Sequence, residues 1–448
     1  MALSDPFIEK HIRPRSILRR RLRRFIPAFI VALMSGLWVF WLGEIAGDHA
    51  LRLSLTGRWF QSDAWRVYDD MVRYEASHYR NSIRPLFSVI AIPFTNTGMW
   101  VFGLNEVQAI RLLQGTVSAL IGWFMYFLLL RMRAGCLGAV LGSVFLMITA
   151  ATIYWQTIPE TFGLGSVVMV ATLCLASKAR VSLIVLSAAG VLCTGILLSN
   201  GMAACVAAWV RRSFEDALDV AFVCAVGFVL CWGVQKLMFE KPAALFLGLS
   251  GADRGYILNP EQGGPLRSLA VLSTHSVIAP EPQLTLRASP QGLMLSAQHT
   301  RVVTDTLLAT AAYACWLVLV TTGLAAALMR FRELRVIRLA AMLLLGQYML
   351  HSVYGEESIL YVMHVMPPLC LLALAALSLR RRYRWLVQGW LILTTILLAL
   401  YNVGQWSALA DVPFEDAHDE RIERLYEGTG VESAQQTKVD QRQSRLNR

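Results

Sequence analysis

Charge is scarce in this chain. Of 448 residues, 16% are Asp, Glu, Lys or Arg and 56% are apolar, and the mean hydropathy is +0.51. A soluble protein carries about 25% charged residues, so the composition argues against a water-soluble globular fold. Cysteine is also used sparingly: Cys136, Cys174, Cys193, Cys205, Cys224, Cys231, Cys315 and Cys370 fall in or beside apolar runs and form no CxxC pair. That pattern excludes a zinc ribbon and a disulfide framework and leaves small buried hydrophobes. GxSxG, P-loop, HExxH and dinucleotide fingerprints are missing from any fitting context, and no repeat of about 20–50 residues emerges. No small-residue cleavage site follows the first apolar run (25–43), which reads as a retained helix and not a signal peptide. Charges at helix midpoints are wanting as well, which argues against a proton-coupled transporter.

What is present is a series of apolar blocks separated by short basic patches. Spans are expected at about 25–43, 107–130, 136–155, 160–177, 181–197, 199–210, 217–239, 306–329, 336–353, 358–379 and 386–404. The formal charge of +11 suggests nucleic acid only until its placement is considered. The N-terminal tail, Arg131/Arg133, Lys178/Arg180, Arg211/Arg212, Arg330 to Arg338 and Arg380 to Arg384 all border apolar runs. With a cytoplasmic N-terminus, eleven spans place every cluster inside, as the positive-inside rule requires. Residues 181–210 satisfy the rule as two short helices turning near Ser199-Asn200-Gly201, provided protein or a water-filled cavity covers the turn. The expected fold is an all-α polytopic membrane protein of about eleven transmembrane helices with an extracytoplasmic C-terminus. It divides into a basic tail (1–24), a membrane domain (25–404) with outer loops at 44–106 and 240–305, and a polar, partly disordered tail (405–448). Gly138 and Gly142 form a small-xxx-small face.

The first outer loop concentrates unlike charges, six arginines and six carboxylates between Glu44 and Arg84. Residues 86–104, which contain Pro93, Asn96 and Gly98, read as an interfacial or re-entrant segment, because a full span there would invert every later basic cluster. Asp63 to Arg84 is thus a polar element with amphipathic helical character held against the membrane surface. Asp63, Tyr68, Asp69 and Asp70 fall within two helical turns, and Arg66, Arg73, Arg80 and Arg84 follow. A carboxylate there can act as a base or hold a cation, and guanidinium groups grip phosphate. Plain i,i+4 ion pairing, such as Asp69 with Arg73, is the competing account. Glu160 (IPETFGL), Glu356 and Glu357 (YGEESILYVMH) stand at helix starts, where the dipole alone favours them. Tyr361 and His364 follow one and two turns later, with His351 near the end of the preceding span; ionisable groups at such depth serve either packing or function.

This order of features resembles the GT-C superfamily of membrane glycosyltransferases, which use polyprenyl-phosphate sugars. The resemblance covers about 25–380 and rests on four passages: Asp63 early in the first loop; RPLFSVIAIPF…FGLNEVQAIRLL leading to the second span; Glu160 after the third; and YGEESILYVMHVMPPLCLL late in the chain. The chain departs from the pattern at Ala64, where a second acid is usual, and lacks the customary late arginine, for which His364 is the substitute. The resemblance implies an enzyme moving a sugar from a polyprenyl-phosphate donor to an extracytoplasmic glycan, lipid or protein at a bacterial inner membrane. Asp63 and Glu160 would be catalytic, with Tyr68, Asp69, Asp70, Arg80, Arg84, Glu356, Glu357, Tyr361 and His364 binding substrate and phosphate. No cofactor is required, and a divalent cation, Mg or Mn, on Asp63 and Glu160 is an option. No nucleic-acid partner is implied. A polysaccharide polymerase or ligase and a lipid or glycan flippase stay open as alternatives.

Overall fold

The computed structural model describes residues 14–45, 50–51, 59–246, 254–281, 283–286, 293–302 and 305–410. Its helices are α1 (Pro14–Ile45), α2 (Ala64–Val72), α3 (Phe87–Phe102), α4 (Glu106–Arg131), α5 (Gly135–Ile148), α6 (Ala150–Trp155), α7 (Phe162–Ala176) and α8 (Leu183–Ile196). They continue with α9 (Met202–Arg211), α10 (Phe214–Met238), α11 (Gly264–Ala270), α12 (Leu307–Arg330), α13 (Arg335–His351), α14 (Val362–Ala373) and α15 (Arg381–Ala410). A two-stranded antiparallel hairpin, β1 (Gln283–Leu286) and β2 (Leu293–Ser296), lies in the second loop with Gln283 opposite Ser296.

Six segments among the described residues are long and apolar enough to cross a membrane: Arg24–Ile45, Glu106–Arg131, Phe214–Met238, Leu307–Arg330, Ser358–Ser378 and Arg381–Leu409. The other expected spans fall on helices of 10 to 17 residues. Several boundaries differ from expectation. The first helix begins at Pro14, inside the basic tail, and the last continues to Ala410. Residues 1–13 of the basic tail and 411–448 of the polar tail lie outside the described residues. The expected span 136–155 breaks at Thr149, whose backbone is extended. The break is filled by the second loop, where Val277 and Ser276 carbonyls accept from the Ala150 and Ala151 amides at 3.1 and 2.9 Å. Asn402, fully buried on α15, fastens the same junction. Its Nδ2 donates to Ile148 O and Val277 O at 2.9 and 2.8 Å, and its Oδ1 accepts from the Ala279 amide at 2.8 Å.

Residues 183–211 do form two short helices, with a 3₁₀ turn at Leu198–Gly201. The turn is covered by protein: buried Asn200 donates to Gly165 O of α7 at 2.8 Å, and the Leu86 amide donates to Gly195 O at 2.7 Å. The helix break therefore lies against protein, as one in an apolar layer requires. The α3 helix spans about 24 Å, short of the ~30 Å hydrocarbon layer. It lies against α2, where Thr95 Oγ1 donates to Met71 O at 2.5 Å, and it leaves Trp100 87% exposed with Val101 and Phe102 beside it.

Close helix contacts use missing side chains. A Cβ on Gly36 of α1 would lie 2.9 Å from Gly115 O of α4, and one on Gly142 would lie 2.7 Å from both Leu129 Cδ1 and Leu374 Cδ1. The tightest approach is Gly323 of α12, where a Cβ would meet Ala373 O at 2.0 Å. Because that neighbour is backbone, Gly323→Ala has to push α12 off α14. Overpacking of this kind costs about 1–3 kcal/mol. The expected result is a lower thermal unfolding midpoint in detergent, while Gly389→Ala, with open space around it, leaves the midpoint unchanged.

Candidate active site

The site begins at a tight turn. Phe60 and Gln61 have φ of 41° and 60°, left-handed values that cost non-glycine residues roughly 1–2 kcal/mol each. The surroundings hold them there. Buried Phe60 packs with Trp59, Tyr154 and Trp155, and Gln61 Nε2 donates to Glu356 Oε2. This turn delivers Asp63 to the N-cap of α2. Its side chain, 25% exposed, pairs with Arg66 at 2.9 Å, and Arg66 in turn stacks on Trp65 and Tyr79.

Behind Asp63 lies Glu160, 6% exposed. It accepts from the Thr161 amide at 2.9 Å, and the Asp63 backbone N–H also points at it. Burial raises its carboxyl to about 7, while the Arg84 charge and the two amides pull downward and the Asp63 charge pushes up. Arg84, itself buried, donates from Nη1 to Thr161 Oγ1 at 2.6 Å, and its Nε has no partner. Asp63, Arg84 and Glu160 are thus brought together from three separate parts of the chain.

Deeper, Phe162 stands edge-on to His364, with ring centroids 5.2 Å apart, and 6.3 Å from Tyr361. Tyr361 stacks on His351 at 4.1 Å, and His351 lies 6.1 Å from His364. Both ring nitrogens of His364, at 1% exposure, lack hydrogen-bond partners, as do His351 Nδ1, Gln156 Nε2 and Asn200 Oδ1. Leaving a buried polar atom unmet costs about 1–3 kcal/mol, so these nitrogens and this oxygen mark a polar cluster inside an apolar wall.

Other expected site residues serve the frame. The Tyr68 hydroxyl donates to Glu106 at 2.8 Å, and burial together with that contact raises its ionisation. Asp69 pairs with Arg73 at 3.0 Å, the i,i+4 contact of the competing account. Asp70 meets His78 Nδ1 at 2.6 Å in a fully buried pair, and His78 lies against Phe239. Burial raises the Asp70 carboxyl, opposed by His78 and by Arg84. Glu356 joins the loops, taking Gln61 on one oxygen and Asn259 Nδ2 on the other at 2.7 Å. Glu357, buried, takes Ser296 Oγ and the Ala297 amide, tying the β-hairpin to the last turn. Arg80 sits in a 3₁₀ turn (Tyr79–Ile83); its side chain lies outside the described residues. Sequence reasoning missed Thr161, Gln61 and His78, which carry no spacing signal that links them to their partners.

The donor set does not fit a divalent cation. Asp63 is paired with Arg66, and Glu160 is met by two amides and faces the charge of Arg84. Among the described residues no group of three or more His, Cys, Asp or Glu side chains is placed to hold a metal.

Comparisons with protein-family models, with curated protein sequences and with solved structures find no match to this chain.

Proposed function

We propose that this chain is an integral membrane glycosyltransferase of the GT-C type, with about eleven spans, an inside N-terminus and an outside C-terminus. It would sit in a bacterial inner membrane and move a sugar from a polyprenyl-phosphate donor to an acceptor hydroxyl on an outer glycan, lipid or protein. The observation that carries the reading is the convergence of Glu160, Asp63 and Arg84 in one largely buried charged cluster.

Such a cluster suits the chemistry. The acceptor oxygen attacks the anomeric carbon, the bond from that carbon to the phosphate oxygen breaks, and the acceptor proton has to leave. A base works best with a pKa near the operating pH, and Glu160, at about 7, meets that condition. It therefore takes the proton. Asp63, the base favoured by sequence position, becomes the group that sets the pKa of Glu160 and orients the acceptor. Arg84, with its unpartnered Nε, faces the departing phosphate, and His364 offers two further unmet nitrogens below. Preorganised charge of this sort stabilises a transition state by several kcal/mol.

The test is incubation of purified protein in lipid with a polyprenyl-phosphate monosaccharide, with release of free lipid phosphate as the readout; no release removes the proposal. Asp63→Asn adds a sharper check. Removing the Asp63 charge lowers the Glu160 pKa, so the acid limb of the pH–rate profile moves below 7. An unmoved limb separates Asp63 from Glu160.

A further inference from the structure

At the end of the bundle opposite Asp63 lies a second polar feature. The α4 helix runs from Glu106, beside Tyr68, to Arg131, about 39 Å along the axis. At that far end a groove of about 590 Å³ opens between the start of α5 and the start of α15, lined by Gly135, Cys136, Arg381, Arg382, Arg384 and Trp385 among others. Among the described residues no carboxylate lines it.

Several other arginines are spent. Arg66, Arg73, Arg111, Arg301 and Arg330 each meet a carboxylate. A neighbouring basic groove at Arg180, Arg211 and Arg212 has Arg211 fastened to the carbonyls of Ala176, Lys178 and Ala179. The α15 groove also has one arginine held by carbonyls, but it is the larger and sets a tryptophan beside its exposed guanidiniums. Arg384 donates from Nε to Leu377 O at 2.9 Å and from Nη2 to Leu379 O at 3.3 Å. That fixes the fork with Nη1 toward Gly135, whose absent Cβ would lie 3.2 Å away. Arg382 stacks over Tyr383 at 4.6 Å and stays exposed, as does Arg381. Trp385, 64% exposed, flanks them, placed as an interfacial aromatic beside a headgroup layer. A concave set of guanidiniums, one of them pinned and none met by a carboxylate in the groove, matches a phosphate oxyanion.

We infer that this groove is a phosphate-binding site for the headgroup of an anionic phospholipid. The inference rests on membrane embedding alone and is independent of the proposed transferase reaction. The test uses the full chain in nanodiscs carrying either a photoreactive phosphatidylglycerol or a photoreactive phosphatidylcholine, with adducts mapped by mass spectrometry. Labelling of peptides 134–137 and 381–388 should favour phosphatidylglycerol. Each basic side chain near an anionic surface changes binding about fivefold, so the doubly exposed variant Arg381→Gln/Arg382→Gln should lose labelling about 25-fold. Arg301→Gln, at the opposite end, should retain it. Persistence of the label in millimolar inorganic phosphate assigns the site to lipid, whereas displacement assigns the same chemistry to soluble phosphate. Equal labelling by the two lipids, or a double variant that labels like wild type, overturns the inference.

Discussion

Glu160→Gln is expected to lower sugar transfer by about 10²–10⁴-fold, the share that a positioned base commonly supplies. Glutamine has the same shape and keeps an oxygen for the Thr161 amide, so the fold should hold and the thermal unfolding midpoint should stay near wild type. A pH profile provides the diagnostic signature. With the Glu160 carboxyl at about 7, wild-type kcat/KM rises as pH passes through 7 and levels above it, because only the ionised carboxylate accepts a proton. In the variant that acid limb disappears and the residual rate is flat. A variant within about threefold of wild type would mean the proton goes elsewhere.

Arg84→Gln should cost about 10²–10³-fold, the range for removing one preorganised donor from developing negative charge. It has a second consequence of opposite sign to Asp63→Asn. The Arg84 charge pulls the Glu160 pKa down, so its removal lets burial dominate and moves the acid limb above 7. Arg84→Lys separates the two effects. It keeps the positive charge, and with it the position of the limb, but lacks the forked geometry that spans Thr161 Oγ1 and a phosphate oxygen. Its rate should fall while its profile stays in place. Loss of rate in Arg84→Gln with an unmoved limb would show that the guanidinium does not act on Glu160.

Much of this arrangement could be read from residue type and order. Apolar block length located the helices, and charge asymmetry suggested two short helices in 181–210, which the turn at Leu198–Gly201 matches. Asp63, Arg84 and Glu160 stood out as polar residues at the same end of successive apolar blocks. What remained hidden was set by tertiary contact. The Thr149 break depends on Ser276 and Val277; nothing in residues 136–155 predicts it. Glu356 and Glu357 read as dipole partners, yet they are held by Gln61, Asn259 and Ser296 from distant loops. The difference in burial between Asp63 and Glu160 was equally invisible, because both are simply acids in the sequence.

The amide of Asn402 gives the last helix a mechanical part to play. Val277 and Ala279 are stitched to it, and α15 continues without interruption from there back to Arg381, a rod of about 33 Å. The second loop and the far tip of the molecule are thereby joined through one helix, which packs against α12. Anything that fixes Arg381 and Arg382 at the far tip therefore bears on the same helix that anchors the second loop.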